Sequence, residues 1–157
     1  MKHHLVAAGL THVEVLAALH GESFDEGWSA ASFDTTLRMP GSYGFFALSD
    51  GNPDEPLGFA LFRAAGGEAE VLSIATRPQA RGHGVARALM DQGLDLAGDL
   101  GAEQMILEVA DDNASAIGLY TLLGFRETGR RATYYARPDG ARVDALIMAK
   151  EIPATTA

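Results

Sequence analysis

The chain has 157 residues and a mass of 16.6 kDa, with 47% hydrophobic and 21% charged residues, proportions ordinary for one globular domain with its own core. It contains no cysteine, which excludes disulfides, thiolate nucleophiles and cysteine-based metal sites, and its five histidines fall at no ligand-like spacing, so no metal is expected. The formal net charge of -9 argues against nucleic acid as a partner, and no stretch reads as a signal segment or membrane span, so a cytoplasmic protein with no membrane partner is expected.

Residues 4–9 read as a strand. A helix is predicted over 11–24, opened by a capping box of Thr11 and Glu14, and a weaker one over 29–39, ended by Pro40-Gly41. Two strands, 42–49 and 57–64, are joined by "DGNPDEP" (50–56), read as a turn from its proline and glycine steps. A strand over 68–76 stops before Pro78. Residues 85–100 form the clearest helix, with Ala86, Leu89, Gly93, Leu96 and Leu100 on one face. A strand over 103–111, a short helix over 114–125 and a closing hairpin turned at Asp139-Gly140 complete the order βααβββαβαββ. This predicts an α/β (α+β) domain over 1–152, with a mixed, largely antiparallel sheet flanked by helices and a C-terminal tail over 153–157.

Charge is unevenly spread. Eight of the twelve Lys and Arg lie between residues 77 and 142, while the first 60 residues hold only Lys2 and Arg38. That asymmetry suits two ligands of opposite sign. Arg77, Arg81 and Arg87 surround the loop "RGHGVA" (81–86), which joins a strand to a helix. Such a junction presents free backbone N–H groups and a positive helix end to an anion. Gly82 and Gly84 permit close backbone approach, and Ala86 is too small to obstruct it. Glycine spacing alone leaves an anion loop and an ordinary tight turn equally open.

The residues Arg81, Gly84 and Ala86 resemble the Q/R-x-x-G-x-G/A signature of the GNAT acetyltransferases. Asn113, Ala116, Tyr120, Gly124 and Phe125 resemble that family's N-x-x-A-x-x-x-Y-x-x-x-G-F segment. Three further stretches, "SFDEGWSAASF", "LEVADDNASAI" and "TYYARPDGARVDALIM", are similar to RimI-type ribosomal-protein alanine N-acetyltransferases. The resemblance implies the GNAT fold and acetyl transfer from acetyl-CoA to a protein N-terminus, by likeness the alanine of a small-subunit ribosomal protein. It also implies that the loop amides of Arg81, Gly82, His83, Gly84, Val85, Ala86 and Arg87 hold the coenzyme's pyrophosphate. Ile74, Ala75 and Thr76 would then pair with the pantetheine arm, and Asn113 would touch the coenzyme.

Glu108 stands in the apolar run "MILEVA" on the face of Ile106, opposite Leu107 and Val109. A partly desolvated carboxylate there would be raised in pKa and suit a general base; an ion-paired strand residue at a sheet edge is the other reading. Tyr120 shares a helix face with Ala116, Ile117 and Leu123. Its hydroxyl would serve either a structural hydrogen bond or, as the resemblance implies, protonation of the leaving thiolate. Asn113 could equally cap the following helix. On the acceptor side, Glu22, Asp25 and Glu26 beside Phe24 and Trp28 suggest an acidic rim around an apolar slot, or simply a solvated face over core aromatics. Tyr134 and Tyr135 resemble a tyrosine pair that contacts peptide backbone in N-terminal acetyltransferases, although the common form has an asparagine before the pair and a proline after it. An N-acetyltransferase for a small amine, and an acyl-CoA-binding module without turnover, are the alternatives.

Overall fold

The computed structural model describes residues 2–24 and 27–153. Its strands are β1 (His3–Ala7), β2 (Ser42–Ser49), β3 (Asn52–Ala65), β4 (Glu68–Thr76), β5 (Gln104–Ala110), β6 (Arg126–Ala136) and β7 (Arg142–Glu151). The helices are α1 (Val13–Ser23), α2 (Ala30–Arg38), α3 (Val85–Asp99) and α4 (Ala114–Leu122). The predicted order βααβββαβαββ is therefore the observed one. All seven strands form one sheet in the order β1-β2-β3-β4-β5-β7-β6, antiparallel throughout except for the β4–β5 pair.

β3 explains the layering. Leu57 to Phe62 are buried without interruption, the pattern of a strand covered on both faces. Ala60 and Phe62 pack toward α3 and its core of Val85, Leu89 and Met90. Phe59 and Leu61 pack toward Leu16 and Leu19 of α1 and Phe33 of α2. Helices α1 and α2 contact β2, β3 and β4 on their side, so the β5–β7–β6 part of that face is left half-buried. Among the described residues, no helix is long and apolar enough to cross a membrane.

Three local expectations need correction. The segment 50–56 is not all turn: β3 begins at Asn52, and only Asp50-Gly51 reverses the chain. Pairing jumps from Leu48↔Pro56 to Ser49↔Asn52, so a bulge accommodates the prolines' missing N–H groups. The cap of the first helix is formed by other residues than Thr11 and Glu14. His12 Nδ1 accepts from Gly9 N at 2.9 Å, and a short 3-10 turn precedes Val13. In α3 the buried set is Val85, Leu89, Met90, Gly93 and Ala97, while Leu100 is exposed. Gly93 keys this face, because a Cβ there would sit 2.1 Å from the Phe62 ring.

Candidate active site

The site begins where two strands part. β4 and β5 pair only from Glu68↔Gln104 to Glu70↔Ile106, and further along the sheet splits. β4 keeps its partner β3 as far as Gly58↔Thr76, so its opposite edge from Leu72 onward is left unpaired. Unpaired main chain inside a sheet is a template for an extended ligand. A cleft of about 430 Å³ opens along the split. It is lined by Ile74, Ala75 and Thr76 of β4, by Arg81, Gly82 and Gly84, by Val85, Ala86 and Arg87 of α3, and by Asn113, Ala116, Leu119 and Tyr120.

The glycine loop forms one end of this cleft. Gly82 and Gly84 adopt φ of 81° and 79°, and a Cβ on either would meet nothing within 4 Å. Positive φ, not crowding, is therefore what demands glycine here. Gly84 is the N-cap of α3, and no side chain caps the helix, so its first N–H groups face the cleft mouth. Arg81 Nε donates to the Thr76 carbonyl at 3.4 Å, holding the loop against the end of β4. Arg77 does not belong to this site. Its guanidinium grips both oxygens of Glu22, at 3.0 and 3.1 Å, and ties α1 to the end of β4. His83 is exposed and is not among the lining residues.

Tyr120 lines the same cleft. It is 5% exposed, and its hydroxyl makes no hydrogen bond among the described residues. Tyr43 offers the contrast: also part-buried, it donates to the Gly93 carbonyl at 2.8 Å. Burial, with a smaller contribution from Tyr135, pushes the Tyr120 hydroxyl up to about 12. It therefore keeps its proton at neutral pH and remains a donor. Asn113 caps α4, accepting from Ala116 N at 3.2 Å, and its residue also lines the cleft.

Glu108 lies on the opposite face of β5 from Leu107 and Val109, as the alternation predicts. It is ion-paired: Arg131 Nη2 stands 3.1 Å from its Oε1. Yet it is not at an edge, because β5 lies inside the sheet between β4 and β7. Burial and then the Glu108 charge raise the Tyr135 hydroxyl, which places Tyr135 within electrostatic reach of Glu108 on one side and Tyr120 on the other. Tyr134 carries the Arg131 guanidinium 4.9 Å over its ring and meets Tyr135 edge-on at 5.2 Å. These groups gather on the half-buried face of β5, β7 and β6 beyond α1 and α2.

The expected acidic rim comprises Glu22, Asp25 and Glu26. The Glu22 carboxylate is taken by Arg77, and Asp25 and Glu26 lie outside the described residues. Trp28 is packed with His20 and Phe33, and its backbone N–H donates to His20 Nδ1 at 3.0 Å. It is not a cleft residue. Phe24, stacked on His20 at 4.2 Å and 42% exposed, lines the cleft with Ser23. Sequence reasoning gave no cofactor role to Ser23, Phe24, Ser115 or Leu119, which line the cleft, and did not single out Glu70 and Arg131 beside Glu108. Burial, followed by the charges of Glu108 and Glu68, raises the Glu70 carboxyl above the usual carboxylate range. The alternation Glu68-Ala69-Glu70 was the only available signal for it. Among the described residues, no group of three or more His, Asp or Glu is arranged to hold a metal ion.

A family model described as Acetyltransferase (GNAT) family matches residues 13–125. The chain belongs to the GNAT acetyltransferases. The GNAT signature positions Arg81, Gly84 and Ala86, and the second-motif positions Asn113, Ala116 and Tyr120, all line the one cleft. A [ribosomal protein bS18]-alanine N-acetyltransferase of Escherichia coli is 40% identical over 94 residues, 60% of this chain and 63% of that protein. An uncharacterized Mycobacterium leprae protein is 37% identical over 155 residues, 94% of this chain and 41% of its own length. The matched stretch thus spans less than two thirds of each of these relatives. The crystal structure of the ribosomal-protein-S18-alanine N-acetyltransferase from Escherichia coli superposes with a TM-score of 0.88 at 28% identity, covering 99% of this chain and 97% of that one.

Proposed function

We propose that this GNAT chain transfers acetyl from acetyl-CoA to the N-terminal α-amine of a protein, in a ternary complex in the cytoplasm. By similarity the acceptor is the N-terminal alanine of a small-subunit ribosomal protein. One observation carries the chemistry: a buried tyrosine whose hydroxyl makes no hydrogen bond among the described residues lines the same cleft as a phosphate-type loop, with the Glu108 carboxylate on the neighbouring strand β5. The acceptor is supported by the names of the Escherichia coli relative and the Escherichia coli structure, both alanine N-acetyltransferases of ribosomal protein S18.

In this reading the loop amides from Gly82 to Arg87 and the Arg81 and Arg87 side chains hold the pyrophosphate. The free edge of Ile74, Ala75 and Thr76 takes the pantetheine arm. Acetyl-CoA supplies the activated thioester. An α-amine, with a pKa near ~7.7–8.0, needs little help to lose a proton at neutral pH, and Glu108 accepts that proton directly or through water. The nitrogen attacks the thioester carbonyl, the C–N bond forms and the C–S bond breaks. The departing sulfur takes the Tyr120 proton, and the second proton of the attacking nitrogen, lost as the amide forms, restores the Tyr120 hydroxyl through water. With no cysteine in the chain, direct attack replaces an acyl-cysteine intermediate.

The test is intact-mass detection of transfer to a short Ala-Arg peptide, the same peptide with a blocked α-amine, and a panel of small amines. Acetylation of the free peptide alone is expected. Acetylated small amines with an untouched peptide would instead make this a small-amine N-acetyltransferase, a reading that the carboxylates Glu70 and Glu108 on the acceptor face also favour. Glu108→Gln and Tyr120→Phe should each lower kcat by roughly ten- to ten-thousand-fold with acetyl-CoA affinity nearly intact. No turnover by the unmodified protein on any acceptor, with acetyl-CoA still bound, would leave a coenzyme-binding module.

A further inference from the structure

β6 and β7 fall out of step midway along their pairing. Arg131 lies opposite Ala145 and Tyr135 opposite Val143, so four steps along β6 match two along β7. The surplus residues bulge out around Ala132, Thr133 and Tyr134. Thr133 takes φ of 51°, and it is the sole non-glycine residue with positive φ among the described residues. For a β-branched side chain this conformation is strained and persists only where neighbours enforce it.

Both enforcing groups stand on β7. One Asp144 oxygen accepts from Thr133 N at 2.8 Å, and the other from Arg130 Nη1 at 2.9 Å. The Arg142 guanidinium donates to the Thr133 carbonyl at 2.8 Å and to the Tyr134 carbonyl at 3.3 Å. Backbone donor and backbone acceptors of the bulge are thus held from one side.

The bulge changes which way the tyrosines point. In a regular strand, adjacent residues face opposite sides of the sheet. Here Tyr134 lies against the Arg131 guanidinium, and Tyr135 meets Tyr134 edge-on while sensing the Glu108 charge. Two consecutive side chains therefore join Arg131 on the face that carries Glu108.

We propose that Asp144 and Arg142 are positioning residues for the acceptor: by locking the β6 bulge, they turn Tyr134 and Tyr135 to the same side and build the wall against which a peptide backbone lies beside Glu108. This inference rests on the reading of the tyrosine pair as acceptor contacts. Asp144 and Arg142 touch neither substrate; they act through the bulge.

The test is steady-state kinetics with the Ala-Arg peptide, alongside direct measurement of acetyl-CoA affinity, for Asp144→Ala, Asp144→Asn and Arg142→Ala. Asp144→Ala should raise peptide KM about ten-fold, the effect of losing one charge-assisted hydrogen bond, and leave acetyl-CoA affinity unchanged. Asp144→Asn keeps an oxygen for Thr133 N and should restore most of the loss. Adding Thr133→Gly to Asp144→Ala should also recover part of it, because glycine holds positive φ without enforcement. A wild-type peptide KM in Asp144→Ala would overturn the inference alone. Equal losses for peptide and acetyl-CoA, unrelieved by Thr133→Gly, would overturn it too, by making Asp144 a residue of the general fold. An unmodified protein that leaves the peptide untouched would overturn the acceptor reading and this inference together.

Discussion

Gly84 stands at φ of 79° just before α3, with open space where a Cβ would sit. Alanine there meets no obstacle, only the backbone cost of the left-handed region, about 1–2 kcal/mol. The loop is exposed, so it is expected to relax to negative φ and turn its N–H groups out of the cleft. Gly84→Ala should weaken acetyl-CoA binding roughly ten-fold by calorimetry, with little change in Tm, since the strain falls on the loop and not the core. Unchanged affinity would detach this loop from the coenzyme. At this scale the sequence was informative wherever local backbone chemistry set the outcome: Gly82 and Gly84 of the strand-to-helix loop take positive φ, and Asn113 caps α4. It was uninformative for Trp28 and Arg77, whose partners His20, Phe33 and Glu22 are assembled only by folding. The motif gave Tyr120 its place in the cleft, but its unpartnered hydroxyl is a property of its surroundings.

The contact of α3 with β3 is fixed by a missing side chain. Phe62 lies against the backbone of Gly93, and a Cβ at that position would come within 2.1 to 2.6 Å of three of its ring atoms. Both groups are fully enclosed, so neither has room to yield. Gly93→Ala should cost at least about 1–3 kcal/mol of stability, the range for overpacking a filled core, read as a lower denaturant midpoint with unchanged slope. A neutral result would mean that the helix slides on the sheet. Element types were legible because their periodicities are strong. Element edges were not: the face of α3 is rotated from the one expected, since its buried set is selected by Phe62 and the rest of the sheet. β3 extends through two prolines for a related reason, because a bulge against β2 absorbs them.

For the whole molecule, burial of phenols sets a pH limit. Burial raises the hydroxyls of Tyr43, Tyr120 and Tyr135 above their ordinary value, Tyr120 to about 12. Below pH about 10 folded and unfolded chains both hold these protons, so the contribution to stability is complete. Above it the unfolded chain releases them first, and stability should fall steadily as the pH rises from about 10 through the folded values. Urea midpoints measured from pH 8 to 11 check this, and Tyr120→Phe should flatten part of the decline. The charge distribution is also settled at this scale. Arg130, Arg131 and Arg137 of the basic carboxyl half are engaged by Asp144, Glu108 and Asp112, and Arg77 by Glu22. Arg81 and Arg87, which meet no carboxylate among the described residues, line the cleft.

The sequence by itself determined the order of elements, the family and the positive-φ glycine loop before α3, because hydrophobic period, glycine chemistry and motif spacing are all local in the chain. Tertiary structure decided which arginines are engaged by carboxylates, that Tyr43 spends its hydroxyl on Gly93 while Tyr120 makes no hydrogen bond among the described residues, and which face of the sheet Tyr134 and Tyr135 occupy. Those depend on strand register and on partners brought together by packing: Glu22 is brought to Arg77, 55 residues on, by the packing of α1, and Asp144 to Thr133, 11 residues back, by a two-residue slip between strands. Composition and spacing carry no record of either.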